Sequence, residues 1–296
     1  MELLTQITDI VGRENVLTDE PMSRHTTFLA GGPAAYFVTP QNEMQLAQLI
    51  KICPEYYVIG RGSNLLVRDA GYSGVILYLG RMFSEIRITG NRMIAGAGAK
   101  LSEIAARAAE AGLTGFEFAH GIPGTLGGAV VMNAGAYGGE MKDVLTSVRV
   151  LNKDGEIEEL PAEALALGYR HSLVPEKGWT VLSAELCLQP GVRTEIEAKM
   201  QELMAKRREK QPLEFASAGS TFKRPEGHFA GQLIQEAGCK GLSVGRAQVS
   251  EKHAGFVINT CGATATDILA LIEEVQKRVY EHSGVMLEPE VRIIGG

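Results

Sequence analysis

Gly121-Ile122-Pro123-Gly124-Thr125-Leu126-Gly127-Gly128-Ala129-Val130-Val131-Met132-Asn133-Ala134-Gly135-Ala136-Tyr137-Gly138-Gly139 is the stretch on which the fold turns. Its glycines are too dense for ordinary turns. Glycine lets a backbone bring its N–H groups close to a phosphate or a flat ring, so the stretch reads as the holder of a large cofactor. A second loop, Gly60-Arg61-Gly62-Ser63-Asn64, runs straight into Leu65-Leu66-Val67. Neither loop has the three-glycine spacing of a Rossmann turn, and Gly96-x-Gly98 lacks the third glycine. No Gly-Lys-Ser/Thr phosphate loop occurs either. The expected cofactor site lies outside both common nucleotide frameworks.

Working outward, Leu3, Leu4, Ile7, Ile10 and Val11 recur at helical spacing. Strands are expected at Ala35 to Thr39 and Tyr56 to Ile59, around a helix from Pro40 to Ile52. This start reads as a small α/β subdomain. From Val75 the texture changes to short strands joined by turns. Glu85 to Thr89 and Arg92 to Ala95 flank Gly90-Asn91, and Ser147 to Leu151 and Glu156 to Leu160 flank Lys153-Asp154-Gly155. A helix from Leu101 to Ala111 is stopped by Gly112. Gln189-Pro190-Gly191 reads as a domain boundary. Beyond it, Thr194 to Lys210 reads as a helix with Ile196, Met200, Leu203 and Met204 inward and Lys206, Arg207, Arg208 and Lys210 as a solvated face. A helix near Phe229 to Glu236, a strand Gly255 to Asn259, a helix Thr266 to Ser283 and a strand Val291 to Ile294 complete the pattern.

The 296 residues suit about two domains of roughly 150 residues each. A net charge of −6 without a basic block argues against a nucleic-acid partner, so any anion must be held by local cations. Cys53, Cys187, Cys239 and Cys261 form no Cys-x-x-Cys pair, and the histidines form no His-x-x-x-His pair, so no metal is expected. The start lacks a basic region leading an apolar run, and no stretch of about 18 apolar residues exists. The expectation is a cytoplasmic protein without a membrane partner.

Ala218-Gly219-Ser220-Thr221-Phe222-Lys223-Arg224-Pro225 sets one hydroxyl behind a glycine with two cations just downstream. No Gly-x-Ser-x-Gly elbow surrounds Ser220. The segment reads either as turn chemistry or as a proton donor beside an anion clamp. Arg170, in Tyr169-Arg170-His171-Ser172, is either a surface ion-pair partner or a bidentate clamp on a carboxylate. Glu290, in Glu288-Pro289-Glu290, is either solvated or functional.

These pieces occur together, with His25-Thr26-Thr27-Phe28, Gly31-Gly32-Pro33-Ala34, Gln248-Val249-Ser250-x-Lys252-His253-Ala254-Gly255-Phe256 and Leu287-Glu288-Pro289-Glu290-Val291-Arg292. In that order they resemble the UDP-N-acetylenolpyruvoylglucosamine reductase family, flavoenzymes of peptidoglycan precursor synthesis, over nearly the whole chain. The resemblance implies an α+β fold: a two-subdomain FAD-binding module of the PCMH/vanillyl-alcohol-oxidase type, then an α/β substrate-binding domain. The implied subdomains are 1–74 and 75–190. The substrate domain is 191–288, and strand 289–296 returns toward the first subdomain. It implies non-covalent FAD, NADPH as reducing co-substrate and a small-molecule enolpyruvyl sugar nucleotide. By resemblance, Gly60, Arg61, Gly62, Ser63 and Asn64, with Gly121, Ile122, Pro123, Gly124, Gly127 and Gly128, cradle the pyrophosphate. Asn133, Ala134, Gly135, Ala136 and Tyr137 lie near the flavin. Ser220 is the implied proton donor, Arg170 and Glu290 stabilise an enediolate, and Tyr169, Lys223 and Arg224 hold substrate. The length suits the family's shorter form, which lacks an inserted tyrosine-bearing loop. Leu29 stands where a basic residue is common, and Arg224 where an asparagine often follows the lysine. Two rivals stay open: another flavin oxidoreductase on the same module, and a non-enzymatic binder of a nucleotide sugar.

Overall fold

The computed structural model describes residues 2–296, which form two compact units. The first comprises residues up to Thr18, Tyr36–Gly60 and Gly74–Arg207; the second comprises Asp19–Ala35, Arg61–Ser73 and Arg208–Gly296. Neither is a continuous segment of chain.

The first unit is built around an antiparallel sheet in the order Ile157–Pro161, Leu145–Leu151, Thr180–Cys187, Arg92–Gly96, Ile86–Thr89. Helix Leu101–Glu110 buries Leu101, Ile104, Ala105, Ala108 and Ala109, the one-sided spacing of an amphipathic helix. Strand Tyr56–Ile59 pairs parallel with Val75–Tyr78. Helix Glu43–Ile52 starts later than the sequence suggests, because the Asn42 side chain accepts the Gln45 N–H and caps it there. Helix Arg193–Lys210 sends Ile196 and Met200 into this unit's core, which is why the unit runs on past Gln189–Pro190, itself paired with Leu113–Thr114.

The second unit packs helices Ala230–Glu236 and Ala265–Ser283 with an antiparallel sheet of Ser243–Val244, Ala247–Val249 and Val257–Asn259. The long helix buries Ile268, Leu271, Ile272, Val275 and Val279 along one stripe. Its start carries a capping box between Thr264 and Asp267. Asp69, distant in sequence, adds a second cap: its carboxylate accepts Ala265 N–H at 2.9 Å, Thr266 N–H at 2.8 Å and the Thr266 hydroxyl at 2.6 Å. Strand Arg292–Ile294 lies parallel to Leu65–Val67.

Candidate active site

In the second unit the structure brings Ser220 and Glu290 together. Phe222 and Pro289 form an antiparallel bridge, flanked by Glu290 N–H to Thr221 O at 2.8 Å and Lys223 N–H to Glu288 O at 2.8 Å. Thr221 is anchored in turn: its N–H reaches Gly255 O at 2.9 Å, and its hydroxyl accepts Val257 N–H at 2.9 Å. Buried Ala218, Thr221 and Phe222 hold the segment down while Ser220 stays exposed. Gly219 sits at φ +76°, a conformation an L side chain resists, so the residue before the serine must be small and permissive. Lys223 faces Glu288 as a cross-strand pair, 2.5 Å between Nζ and Oε1. The Arg224 guanidinium stacks 3.9 Å above the Phe229 ring, which preorganises a flat cation at the surface.

Asn64, at the end of the loop expected to cradle a cofactor, also ties that loop to the Glu290 segment. Its amide donates to Glu290 O at 3.1 Å, and Arg292 N–H returns to Asn64 O at 3.0 Å. Glu290 is thus held through its N–H by Thr221 and through its carbonyl by Asn64. Leu29 is exposed at φ +52° beside Thr26, whose hydroxyl donates to Ala30 O.

In the first unit Arg170 sits at the tip of a tight turn. His171 N–H closes back on Gly168 O at 3.3 Å, and Gly168 N–H on His171 O at 3.0 Å. Arg170 has φ +53°, the left-handed position that turns of this kind normally reserve for glycine or asparagine. Its guanidinium lies over the exposed Tyr169 ring at 5.1 Å and reaches Gly135 O at 3.5 Å. Gly135–Ala136 and Gly139–Glu140 pair as a hairpin whose tip, Tyr137 and Gly138, has φ +54° and +88°. Two positive values give the primed turn that matches strand twist. The Asn133 side chain is buried and points inward, bonded to Glu140, Gly168 and Lys142. These bonds fix its side chain within the protein.

Each glycine loop, taken within its own unit, has room for an anionic group. At Gly60 a Cβ would lie 2.2 Å from Thr125 Oγ1, and at Gly62, φ +57°, 2.1 Å from His25 O, so backbone approaches there leave no room for a side chain. At Gly128 a Cβ would meet nothing within 4 Å, so that glycine lines open space. Leu126 and Gly127 are not part of the open cradle, since their N–H groups donate to Ala99 O and Ala97 O at 2.9 Å. Among the described residues the buried Thr27 Oγ1 and His120 Nδ1 have no hydrogen-bond partner, though each adjoins a loop: Thr27 N–H bonds Gly62 O, and His120 precedes Gly121.

Helix Arg193–Lys210 departs from the expected solvated basic face at one residue. Arg207 is not solvated; it is 9% exposed, beside Gly121. Burial pushes its guanidinium below the ordinary arginine value, and neighbouring Tyr137 opposes that shift. Among the described residues no carboxylate is ion-paired with it. A buried cation without a protein anion is costly, and an anionic cofactor relieves that cost. Apolar periodicity hid it, because Ile196, Met200 and Leu203 already accounted for the inward face.

Residues 34–161 match the FAD binding domain family, and the arrangement defines an FAD-dependent oxidoreductase. Residues 211–294 match the C-terminal domain of UDP-N-acetylenolpyruvoylglucosamine reductase. The chain is 53% identical to the UDP-N-acetylenolpyruvoylglucosamine reductase of Agathobacter rectalis, covering 98% of this chain and 97% of that one. It is 49% identical to the enzyme of that name from Clostridioides difficile, over 99% and 98% of the two chains. The crystal structure of UDP-N-acetylenolpyruvylglucosamine reductase from Thermus caldophilus superposes with a TM-score of 0.83 at 38% identity, covering 95% of this chain and 98% of that one. The chain belongs to the UDP-N-acetylenolpyruvoylglucosamine reductase family.

Proposed function

We propose that this chain reduces UDP-N-acetylenolpyruvoylglucosamine to UDP-N-acetylmuramate with NADPH in peptidoglycan precursor synthesis. The observation that carries the reading is the backbone ladder joining Thr221 to Glu290, which ties the Ser220 segment to the Glu290 segment. Bound FAD supplies hydride transfer between NADPH and the enolpyruvyl double bond. The Gly60–Asn64 and Gly121–Gly128 loops hold it non-covalently, with Arg207 and Thr27 offering a cation and a hydroxyl.

The protein's own residues manage charge and protons. Hydride arriving at the vinyl carbon remote from the carboxylate leaves charge on the carbon that bears it, delocalised into the carboxylate as an enediolate. Arg170 meets it with a planar two-donor fork, and Glu290 with a carboxylic-acid donor. Ser220 Oγ–H then protonates the carbon. A hydroxyl is a weak acid, but a carbanion-like intermediate is a strong base, so driving force replaces a matched acidity. Exposed to solvent, Ser220 regains its proton from water. Tyr169, Lys223 and Arg224 hold the sugar nucleotide, Arg224 taking a phosphate where an asparagine is more usual.

The test is the visible spectrum of the purified protein. A yellow protein is expected, bleached by NADPH without oxygen and recoloured by the enolpyruvyl substrate. Acid precipitation should leave the colour in the supernatant. Faster recolouring by oxygen than by substrate would favour a different flavin oxidoreductase, and a colourless protein a non-enzymatic binder.

A further inference from the structure

Arg170 and the segment Val131–Asn133 are joined more closely than packing requires. Asn133 is 0% exposed, and both polar atoms of its side chain are bonded. Its Nδ2 donates to Gly168 O at 2.9 Å and to Glu140 Oε2 at 2.9 Å, and its Oδ1 accepts Lys142 N–H at 2.9 Å. Gly168 O is the base of the turn that carries Arg170. On the turn's far side Ser172 Oγ donates to Val131 O at 2.7 Å. The turn is therefore tied at both feet to one short segment.

The ties act against strain. A non-glycine residue in the left-handed region is strained and persists only when its surroundings over-determine it. Arg170 is such a residue, at φ +53°, and Asn133 another, at φ +40°. Released, the turn would return Arg170 to negative φ and swing its side chain off Gly135 O. The far end of Arg170 leads back to the same hub. Gly135 is the register partner of Glu140, the carboxylate that Asn133 and Lys142 Nζ hold, each at 2.9 Å.

We propose that Asn133 is a positioning residue for Arg170, holding the strained Tyr169–Arg170 turn so that the guanidinium is aimed before substrate arrives. The inference rests on the role given to Arg170 under the proposed function. The Asn133 side chain is committed to Gly168, Glu140 and Lys142, so its loss should spare the half-reaction that does not need Arg170.

The test uses the FAD-loaded enzyme and two half-reactions, flavin reduction by NADPH and reoxidation by UDP-N-acetylenolpyruvoylglucosamine. Asn133→Asp keeps size and the acceptor for Lys142 but replaces the donors facing Gly168 and Glu140. FAD content and reduction rate should stay within about threefold of wild type, while reoxidation slows at least tenfold. Combined with Arg170→Ala, Asn133→Asp should add less than about twofold to the loss from Arg170→Ala, because both remove one function. Ser172→Ala, which opens the other tie, should slow reoxidation less than Asn133→Asp and serves if that variant does not fold. The inference is overturned if Arg170→Ala is slow but the tie variants reoxidise normally, if the losses multiply, or if both half-reactions fall together. Normal reoxidation by Arg170→Ala alone would instead remove the role of Arg170, and this inference with it.

Discussion

Replacing Ser220 with alanine should separate chemistry from stability. The hydroxyl is exposed, and the segment is held by other groups: Thr221 N–H and Oγ1 on Gly255 and Val257, Phe222 in the core, and the ladder to Glu288 and Glu290. None of these ties involves the Ser220 side chain, so the stability change should stay within about 0.5 kcal/mol, as for surface substitutions generally. The reaction should behave otherwise. Loss of a general acid lowers a rate by roughly a hundred- to ten-thousand-fold, about 3–5 kcal/mol at the barrier. Stopped-flow flavin absorbance reads both halves. Reduction by NADPH should proceed near the wild-type rate, and reoxidation by the enolpyruvyl substrate should slow by at least a hundredfold. Ser220→Cys should recover part of the loss, because a thiol is a stronger acid of similar size. Reoxidation within a few-fold of wild type, or a loss that tracks a lowered melting temperature, would refute the reasoning and leave Ser220 as a turn residue.

Arg170→Lys keeps charge but loses the planar fork, and should not restore activity relative to Arg170→Ala; Glu290→Gln keeps a donor and should turn over faster than Glu290→Ala in steady-state assays. Arg207→Met should act with opposite signs, raising the melting temperature of the FAD-free protein by removing an unpaired buried cation and weakening FAD at least tenfold by titration. The Asp69 carboxylate is pushed up by partial burial, but bonds from the Thr266 hydroxyl and the Thr266 and Ala265 N–H groups outweigh this and hold it below the ordinary value. A depressed folded value means that its cap stabilises above the unfolded value of about 3.9 and is lost as pH falls toward the folded one. Asp69→Asn should therefore cost about 1 kcal/mol at pH 7 in denaturant melts, with the difference from wild type shrinking below about pH 4.

The sequence by itself determined the local elements and the chemistry on offer. Helix Ala265–Ser283 follows from its apolar stripe and capping pair, and the glycine loops from residues that alone tolerate those backbone approaches. Through the family they resemble, the motifs in order imply FAD and reactive roles for Ser220, Arg170 and Glu290. Only the tertiary structure decided which polar side chains face inward. Asn64 and Asn133 sit within cofactor-loop motifs, yet one pins Glu290 and the other the Arg170 turn. Arg207 stands in a basic run that reads as solvated, yet it is buried because Gly121, far away in sequence, leaves room for it. Periodicity reports where apolar surface must go. It carries no record of which distant carbonyl or vacancy a polar side chain will meet, because burying a hydrogen-bonding group depends on a partner that folding alone delivers.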